Sequence, residues 1–245
     1  MSLSGFFIGG TDTGVGKTRV TVGLLGALAD AGVQALGMKP VASGTDAAGH
    51  NEDVGLIQAA NERALGAPAR RLARAANPYC FEWPISPHLA ARRAAVTIDP
   101  MQIAAAAGQL VAQRATPARE AGARTLLLVE GTGGWLAPIG PDRTMADVAV
   151  ALALPVVLVV GLRLGCLNHA LLSARAIRDA ALPLVGWIGS HIEPEMQALE
   201  ENIATLDARL PAPRLGLLAH HASPLSDGTQ LAVAARALRD AALRS

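Results

Sequence analysis

The chain has 245 residues, and its 21 Lys+Arg against 20 Asp+Glu leave a formal net charge of +1. That balance supplies no general field for a polyanion, so neither nucleic acid nor an anionic membrane surface is an expected partner. Apolar residues make up 51% and charged residues 17%, which excludes an intrinsically disordered chain.

The predicted elements alternate between short apolar strands and longer Ala/Leu helices. A strand over Phe6–Ile8 leads through a glycine-rich loop into a helix over Lys17–Ala31, and a second strand follows at Ala35–Met38. The segment from Ala64 to Ala95, with three prolines within Asn77–Pro87, reads as a surface excursion. Beyond it come a helix over Ile103–Arg114 and a strand over Thr125–Val129. The apolar stretch from Val148 to Leu164 is broken by Pro155 and Gly161. It therefore reads as a helix end and a buried strand, Val156–Val160, because a membrane helix needs about 20 unbroken apolar residues. The remaining predictions are a helix over Asn168–Ala181, strand Leu184–Ile188, helix Met196–Leu210, strand Leu215–Leu218 and helix Thr229–Arg244. Runs such as TLLLVE and PVVLVVG are apolar on both faces, as parallel strands covered by helices should be. The expected fold is one α/β domain over residues 1–245, a doubly wound, mostly parallel sheet with helices on both faces. The N-terminal MSLSGFFIGG has no basic region before a long apolar run and reads as carrying no signal peptide. Two cysteines, Cys80 and Cys166, are too few for a disulfide scaffold; a reducing cytoplasm is expected.

Gly10-Thr11-Asp12-Thr13-Gly14-Val15-Gly16-Lys17-Thr18 follows the first strand and opens the first helix, the context of a phosphate-binding loop. Backbone N–H groups freed by glycine converge on phosphate oxygens, and the helix N-terminus adds positive potential. Lys17 supplies a point charge for the β/γ-phosphates, and the Thr18 hydroxyl is a Mg²⁺ ligand type. Five residues separate Gly10 from Gly16, where the usual pattern has four.

Phosphoryl transfer also needs carboxylates for Mg²⁺. Glu130 ends TLLLVE at the carboxyl edge of a predicted parallel strand, where α/β proteins bind ligands. Asp53, in HNEDVGL, reads equally as a helix-start acid or a metal ligand. Lys39 ends ALGMK and points either into the rim or out to solvent. Gly165-Cys166-Leu167-Asn168-His169 precedes a helix; it reads first as an Asn-capped start and alternatively as an anion site of backbone N–H groups. Cys166 and Trp135 read as packing residues, and no histidine shows metal-ligand spacing.

Taken together, GTDTGVGKT, KPVASG (Lys39–Gly44), VEGTGGW (Val129–Trp135) and VVGLRLGCLNHALL (Val159–Leu172) resemble the dethiobiotin synthetase family. NPY (Asn77–Tyr79), SPH (Ser86–His88), GW (Gly186–Trp187) and PAPRLG (Pro211–Gly216) continue the resemblance, and the five-residue loop is a habit of that family. The resemblance implies a P-loop NTPase fold and an ATP-dependent cyclo-ligase of biotin biosynthesis, acting on 7,8-diaminononanoate and CO₂ or bicarbonate. It implies Mg²⁺ on Thr18, Asp53 and Glu130, and catalytic roles for Lys39 and Lys17. ATP contacts are implied at Thr13, Gly14, Val15, Gly16, Lys17, Thr18, Asp53, Glu130, Gly131 and Gly133, with Ser190 and His191 at the base. Thr13 and Ser43 would meet the substrate's reacting end. Gly165, Cys166, Leu167 and Asn168 would hold its carboxylate across a homodimer interface. Ser190 and His191 stand where many members carry Asn, often followed by Asp, which predicts relaxed base selectivity. A P-loop switch ATPase whose output is partner binding, and a non-catalytic nucleotide-binding subunit, are the alternatives.

Overall fold

The structure, a computed structural model, describes residues 3–65, 72–113, 125–220 and 224–243. Its strands in chain order are Gly5–Gly10 (β1), Ala35–Met38 (β2), Val41–Ser43 (β3), Tyr79–Phe81 (β4), Leu126–Glu130 (β5), Val156–Leu162 (β6), Leu184–His191 (β7) and Arg214–Leu218 (β8). The helices are Lys17–Asp30 (α1), Glu52–Leu65 (α2), Ala73–Ala76 (α3), Pro87–Arg93 (α4), Pro100–Gln113 (α5), Met145–Leu152 (α6), Cys166–Asp179 (α7), Leu199–Arg209 (α8), Pro224–Gln230 (α9) and Ala232–Ala242 (α10). No described helix is long and apolar enough to cross a membrane.

Among the described residues, six strands pair in the order β2-β5-β1-β6-β7-β8, every neighbour parallel. Side chains on successive strand residues point to opposite faces, so each strand feeds two cores. Phe6, Ile8, Leu126, Leu128, Val157 and Val159 pack beneath α1 and α10. Phe7, Leu127, Val129, Val156, Leu158 and Val160 pack against α5, α6 and α7 on the other face. The expected double winding is present. The sheet is parallel throughout because every connection between neighbouring strands carries a helix.

The predicted Ala64–Ala95 excursion is not merely a surface loop in its described part. β4 pairs in parallel with β3, Ser43 opposite Phe81, as a separate two-stranded sheet. Such short strands, flanked by Pro40, Pro78 and Pro84, carry too little periodicity to be read from sequence. α2 escapes a sequence reading for a related reason: Glu52, Asp53, Gln58, Asn61, Glu62 and Arg63 interrupt its apolar positions and leave only a narrow apolar stripe.

Three predicted helices shift. α7 starts at Cys166, not near Asn168: Gly165 takes the N-cap with φ +93°, a conformation open to glycine, and no side chain caps the turn. Asn168 is therefore within the first turn. α8 starts at Leu199 rather than Met196, because Ala198 sits at φ +52° and breaks the backbone path. The predicted Thr229–Arg244 helix divides into α9 and α10 at Leu231, which is fully buried with Asp227 against the α1 side. Its last residue lies outside the described residues, as does Arg114.

β2 is an edge strand, yet its outer side does not face water unpaired. The Asn61 side chain, reaching in from α2, accepts the Gly37 N–H at 2.7 Å and donates to the Gly37 carbonyl at 2.9 Å. Just beyond the strand, the Lys39 N–H donates to the Ala76 carbonyl at 2.9 Å. Asn61 thus substitutes for a neighbouring strand at the element that delivers Lys39. Asn61→Leu orphans two buried backbone groups, and urea unfolding should show a loss of about 2–4 kcal/mol. A loss within about 0.5 kcal/mol, the scale of an ordinary surface change, would contradict this role.

Candidate active site

The carboxyl ends of β1, β2, β5 and β6 bring the functional side chains to one rim, the usual ligand side of an open parallel sheet. Register sets their depth. Ile8 lies opposite Glu130, Met38 opposite Val129, and the Gly131 N–H donates to the Ile8 carbonyl at 3.0 Å. Glu130 is consequently fully buried beside the start of the phosphate loop.

Lys39 follows β2 and turns inward at 4% exposure. Its Nζ donates to Asp53 Oδ2 at 2.9 Å and to Glu130 Oε1. The Thr18 hydroxyl donates to the same Glu130 oxygen at 2.8 Å. Of the two directions open to Lys39 from sequence the fold adopts the rim, and Asp53 is an acid in the first turn of α2 that also pairs with Lys39. Glu130 Oε2 is buried and has no hydrogen-bond partner. A hydroxyl and two carboxylates, one of them with an unpartnered oxygen, form an oxygen-rich set that fits a hard divalent cation such as Mg²⁺, which keeps waters and phosphate oxygens for its other positions. Among the described residues, no group of three or more His, Cys, Asp or Glu forms a separate metal cluster.

The two lysines are tuned in opposite directions. Burial pushes Lys17 down, the Lys39 charge adds to the push, and the result is about 8. Burial also opposes charge on Lys39, but the Glu130 and Asp53 carboxylates outweigh it and raise its pKa above the ordinary lysine value. Burial opposes charge on Asp53 in turn, and the Lys39 ammonium with the Thr18 hydroxyl holds it below the usual carboxylate range.

The loop is braced from several sides. Gly16 sits at φ +88° and passes so close to Ser190 that a Cβ there would lie 2.5 Å from Oγ; only glycine fits. Lys17 Nζ folds back to the Asp12 carbonyl at 2.8 Å. The Asp12 carboxylate accepts the Thr13 N–H at 2.7 Å and pairs with Arg163 at 2.6 Å, tying the loop to the segment between β6 and α7. Thr13 and Gly14 remain exposed, whereas Val15 is buried in the α1-side core. Neither Asp12 nor Arg163 stands out in the sequence, although both lie inside motifs that do.

Ser43 ends β3 with its hydroxyl buried and unpartnered. The Asn51 amide donates to the Gly44 carbonyl at 2.7 Å, and Asn77 donates to the Lys39 carbonyl at 2.6 Å. Thr132, in the turn holding Gly131 and Gly133, donates to the Val41 carbonyl and locks that turn to β3. At the α7 start, Gly165 is exposed while Cys166 is 1% exposed and packed in the core. Asn168 is exposed in the same turn. Trp135 is also core, edge-on to Phe7 at 5.9 Å. β7 runs past its predicted end to include Ser190 and His191; Ser190 is fully buried beside Gly16, and His191 is partly exposed.

An AAA domain family model matches residues 4–223. The ATP-dependent dethiobiotin synthetase BioD of Nitrosospira multiformis is 43% identical over 87% of this chain and 87% of its own length. Those of Xylella fastidiosa and Pseudomonas paraeruginosa are 45% and 44% identical, covering 90% and 95% of this chain and 92% and 95% of theirs. Among solved structures, MinD of Aquifex aeolicus has a TM-score of 0.50 at 18% identity, covering 98% of this chain and 96% of that one. A chain of the Aquifex aeolicus MinC:MinD complex scores 0.51 at 14% identity, over 98% and 94%. These structural likenesses speak to the fold alone, while the sequence relatives carry the kinship: the chain belongs to the family of ATP-dependent dethiobiotin synthetases.

Proposed function

We propose that residues 1–245 form one catalytic unit that closes the ureido ring of dethiobiotin from 7,8-diaminononanoate, CO₂ and ATP, with Lys39 and Lys17 as its charge stabilisers. The observation that carries this reading is Lys39 held between Asp53 and Glu130, directly behind a phosphate loop whose Thr18 touches the same Glu130 oxygen.

One substrate amine adds to CO₂ and loses a proton, giving a carbamate. A carbamate oxygen attacks the γ-phosphorus and ADP leaves, forming a carbamic-phosphoric anhydride. The second amine attacks the anhydride carbon, expels phosphate and loses a proton as the ring closes. Backbone N–H groups of Gly14, Val15 and Gly16 hold the phosphates, Gly131 and Gly133 shape the facing turn, and Lys17 lies along the chain of negative charge. Lys39, kept protonated by its carboxylates, neutralises charge building on the transferred phosphoryl group; it is a fixed cation, not a base. Thr18, Asp53 and Glu130 would hold Mg²⁺, which would supply Lewis-acid neutralisation of phosphate oxygens. Thr13 and the unpartnered Ser43 hydroxyl meet the carbamate end. Gly165, Leu167 and Asn168 offer backbone N–H groups to the carboxylate tail of a substrate bound against a second copy in a homodimer, and Cys166, whose own N–H donates to the Arg163 carbonyl at 3.0 Å, holds the turn between them. Orientation of three reactants supplies the rest of the rate. A cytoplasmic location fits the unpaired cysteines.

Phosphate release measured with ATP, Mg²⁺ and bicarbonate should depend on the diamine. Release that is equally fast without it would support a switch ATPase instead. Lys39→Gln should lower diamine-dependent turnover by about 10²–10³-fold, with a melting curve confirming that the variant is folded at assay temperature. Turnover within about threefold of the parent would remove Lys39 from the mechanism, since such a ratio is under about 1 kcal/mol of barrier.

The Lys17 value of about 8 also sets a pH dependence. A triphosphate beside this amine favours its charged form and raises its pKa on binding. Above a pH of about 8 binding must therefore take up a proton, and affinity falls as pH rises. Calorimetry about one unit above that value, in two buffers of different ionisation enthalpy, should give different apparent enthalpies. Identical enthalpies would refute the linkage.

A further inference from the structure

Asp12 is an unexpected residue for its place. It is the only acid between Gly10 and Thr18, inside a loop where a carboxylate repels the phosphates that the backbone N–H groups attract. Its carboxylate Oδ1 accepts the Thr13 N–H at 2.7 Å, and its carbonyl accepts Lys17 Nζ at 2.8 Å. One residue therefore shapes the loop and holds its lysine. The other carboxylate oxygen meets the Arg163 guanidinium at 2.6 Å. We propose that Arg163 is a positioning residue of the triphosphate site that acts through Asp12: it cancels the one negative charge built into the loop, so that Asp12 holds the loop's shape without repelling phosphate. This rests on the reading of the loop as the triphosphate site and adds a residue that sets its affinity.

Arg163 is delivered from backbone held on both sides. It directly follows β6, and the Thr11 N–H donates to the Val159 carbonyl at 3.0 Å, lacing β6 to the start of the loop. On its other side, the Cys166 N–H donates to the Arg163 carbonyl at 3.0 Å. The guanidinium thus reaches Asp12 from a fixed origin.

The pair is poorly placed to stabilise the fold. The Arg163 and Asp12 side chains are 35% and 45% exposed, and ion pairs so open to water add little to folding. A bound polyanion in the same loop is where the balance of these two charges is felt. The Asp12 charge also favours the ammonium form of Lys17, which burial and Lys39 oppose. Removing Arg163 alone leaves the carboxylate unopposed in the phosphate loop, whereas removing both charges restores the original balance. Asparagine at position 12 keeps a side-chain oxygen for the Thr13 N–H, so charge and shape can be separated.

The test is equilibrium binding of ATP and of tripolyphosphate to the whole protein, with Mg²⁺ at low salt. The variants are Arg163→Met, Arg163→Lys, Asp12→Asn and the double Asp12→Asn/Arg163→Met, each shown to be folded by its melting curve. Arg163→Met should weaken both ligands by about tenfold relative to the parent, the effect of one uncancelled charge near a protein surface. Near 1 M salt, where screening acts over about 3 Å, that ratio should shrink to about twofold. Arg163→Lys, which keeps the charge, should stay within about threefold of the parent. Asp12→Asn should bind both ligands at least as tightly as the parent, and the double variant should return to within about threefold of it. A double variant as weak as Arg163→Met would overturn the proposal, because Arg163 would then act on the phosphates directly or only brace the loop. An Arg163→Met loss under about twofold, or one that salt leaves unchanged, would overturn it too. So would Arg163→Lys binding as weakly as Arg163→Met. A parent that binds neither ligand removes the triphosphate reading of the loop and this proposal with it; normal parent binding with a failed rescue removes only the role of Arg163.

Discussion

The site depends on one ammonium group placed between two carboxylates. A carboxylate as deeply buried as Glu130 would cost several kcal/mol if left alone at the end of an interior strand. Lys39 and Thr18 offset that cost by both donating to its Oε1. Asp53, partly open to solvent, completes the pairing from α2. Such a cluster is weak as a source of stability, because apolar residues of the same volume would pack at lower cost. Its retention in a core otherwise built from Val, Leu and Ala is intelligible as electrostatic preorganisation: the charges are already desolvated and oriented, so a reacting phosphate meets them without rearrangement.

The rest of the structure can be understood as the apparatus that keeps this cluster in place. Asn61 closes the outer edge of β2, the strand leading into Lys39, and Asn77 holds the Lys39 carbonyl. Thr132 fastens the turn after Glu130 to β3, the strand that ends in Ser43. Asp12 and Arg163 fasten the phosphate loop to the entrance of α7. Every one of these links joins loops or edges near the carboxyl rim, where backbone groups leave the sheet ladder and need other partners.

Much of this is legible in the sequence, and what is not has a physical cause. The six sheet strands are short, mostly two-faced apolar runs, and burial on both faces is what such runs require. The loop is legible because Gly, Lys and Thr each perform a separate task at fixed spacing. Lys39 and Asp53 are ambiguous, since a lysine at a strand end and an acid at a helix start have ordinary roles as well. The register of β2 against β5 brings Lys39 to Glu130, and the start of α2 brings Asp53 to Lys39. β3, β4 and α2 escape because their stability comes from tertiary contacts rather than local periodicity. The α7 start lies two residues before the predicted one because Asn is a good cap, while Gly165 offers the backbone conformation the turn uses. Asp12–Arg163 and Arg19–Asp227 join residues far apart in the chain, and no local pattern announces such pairs.

The opposite tuning of the two lysines explains how near-identical side chains divide the work. Lys39 is surrounded by carboxylates and keeps its proton before any ligand arrives. Lys17 has a backbone carbonyl as its hydrogen-bond partner, with burial and a like charge working against its own. Above a pH of about 8 it gains its full charge only when an anion arrives to share. One cation is therefore a standing part of the site at any ordinary pH, and the other becomes conditional on the nucleotide as pH rises through that value. In that range the energy of phosphate binding is coupled to completing the positive field. A chain with a net charge of +1 can concentrate charge at one rim in this way without carrying a basic surface that would attract unrelated polyanions.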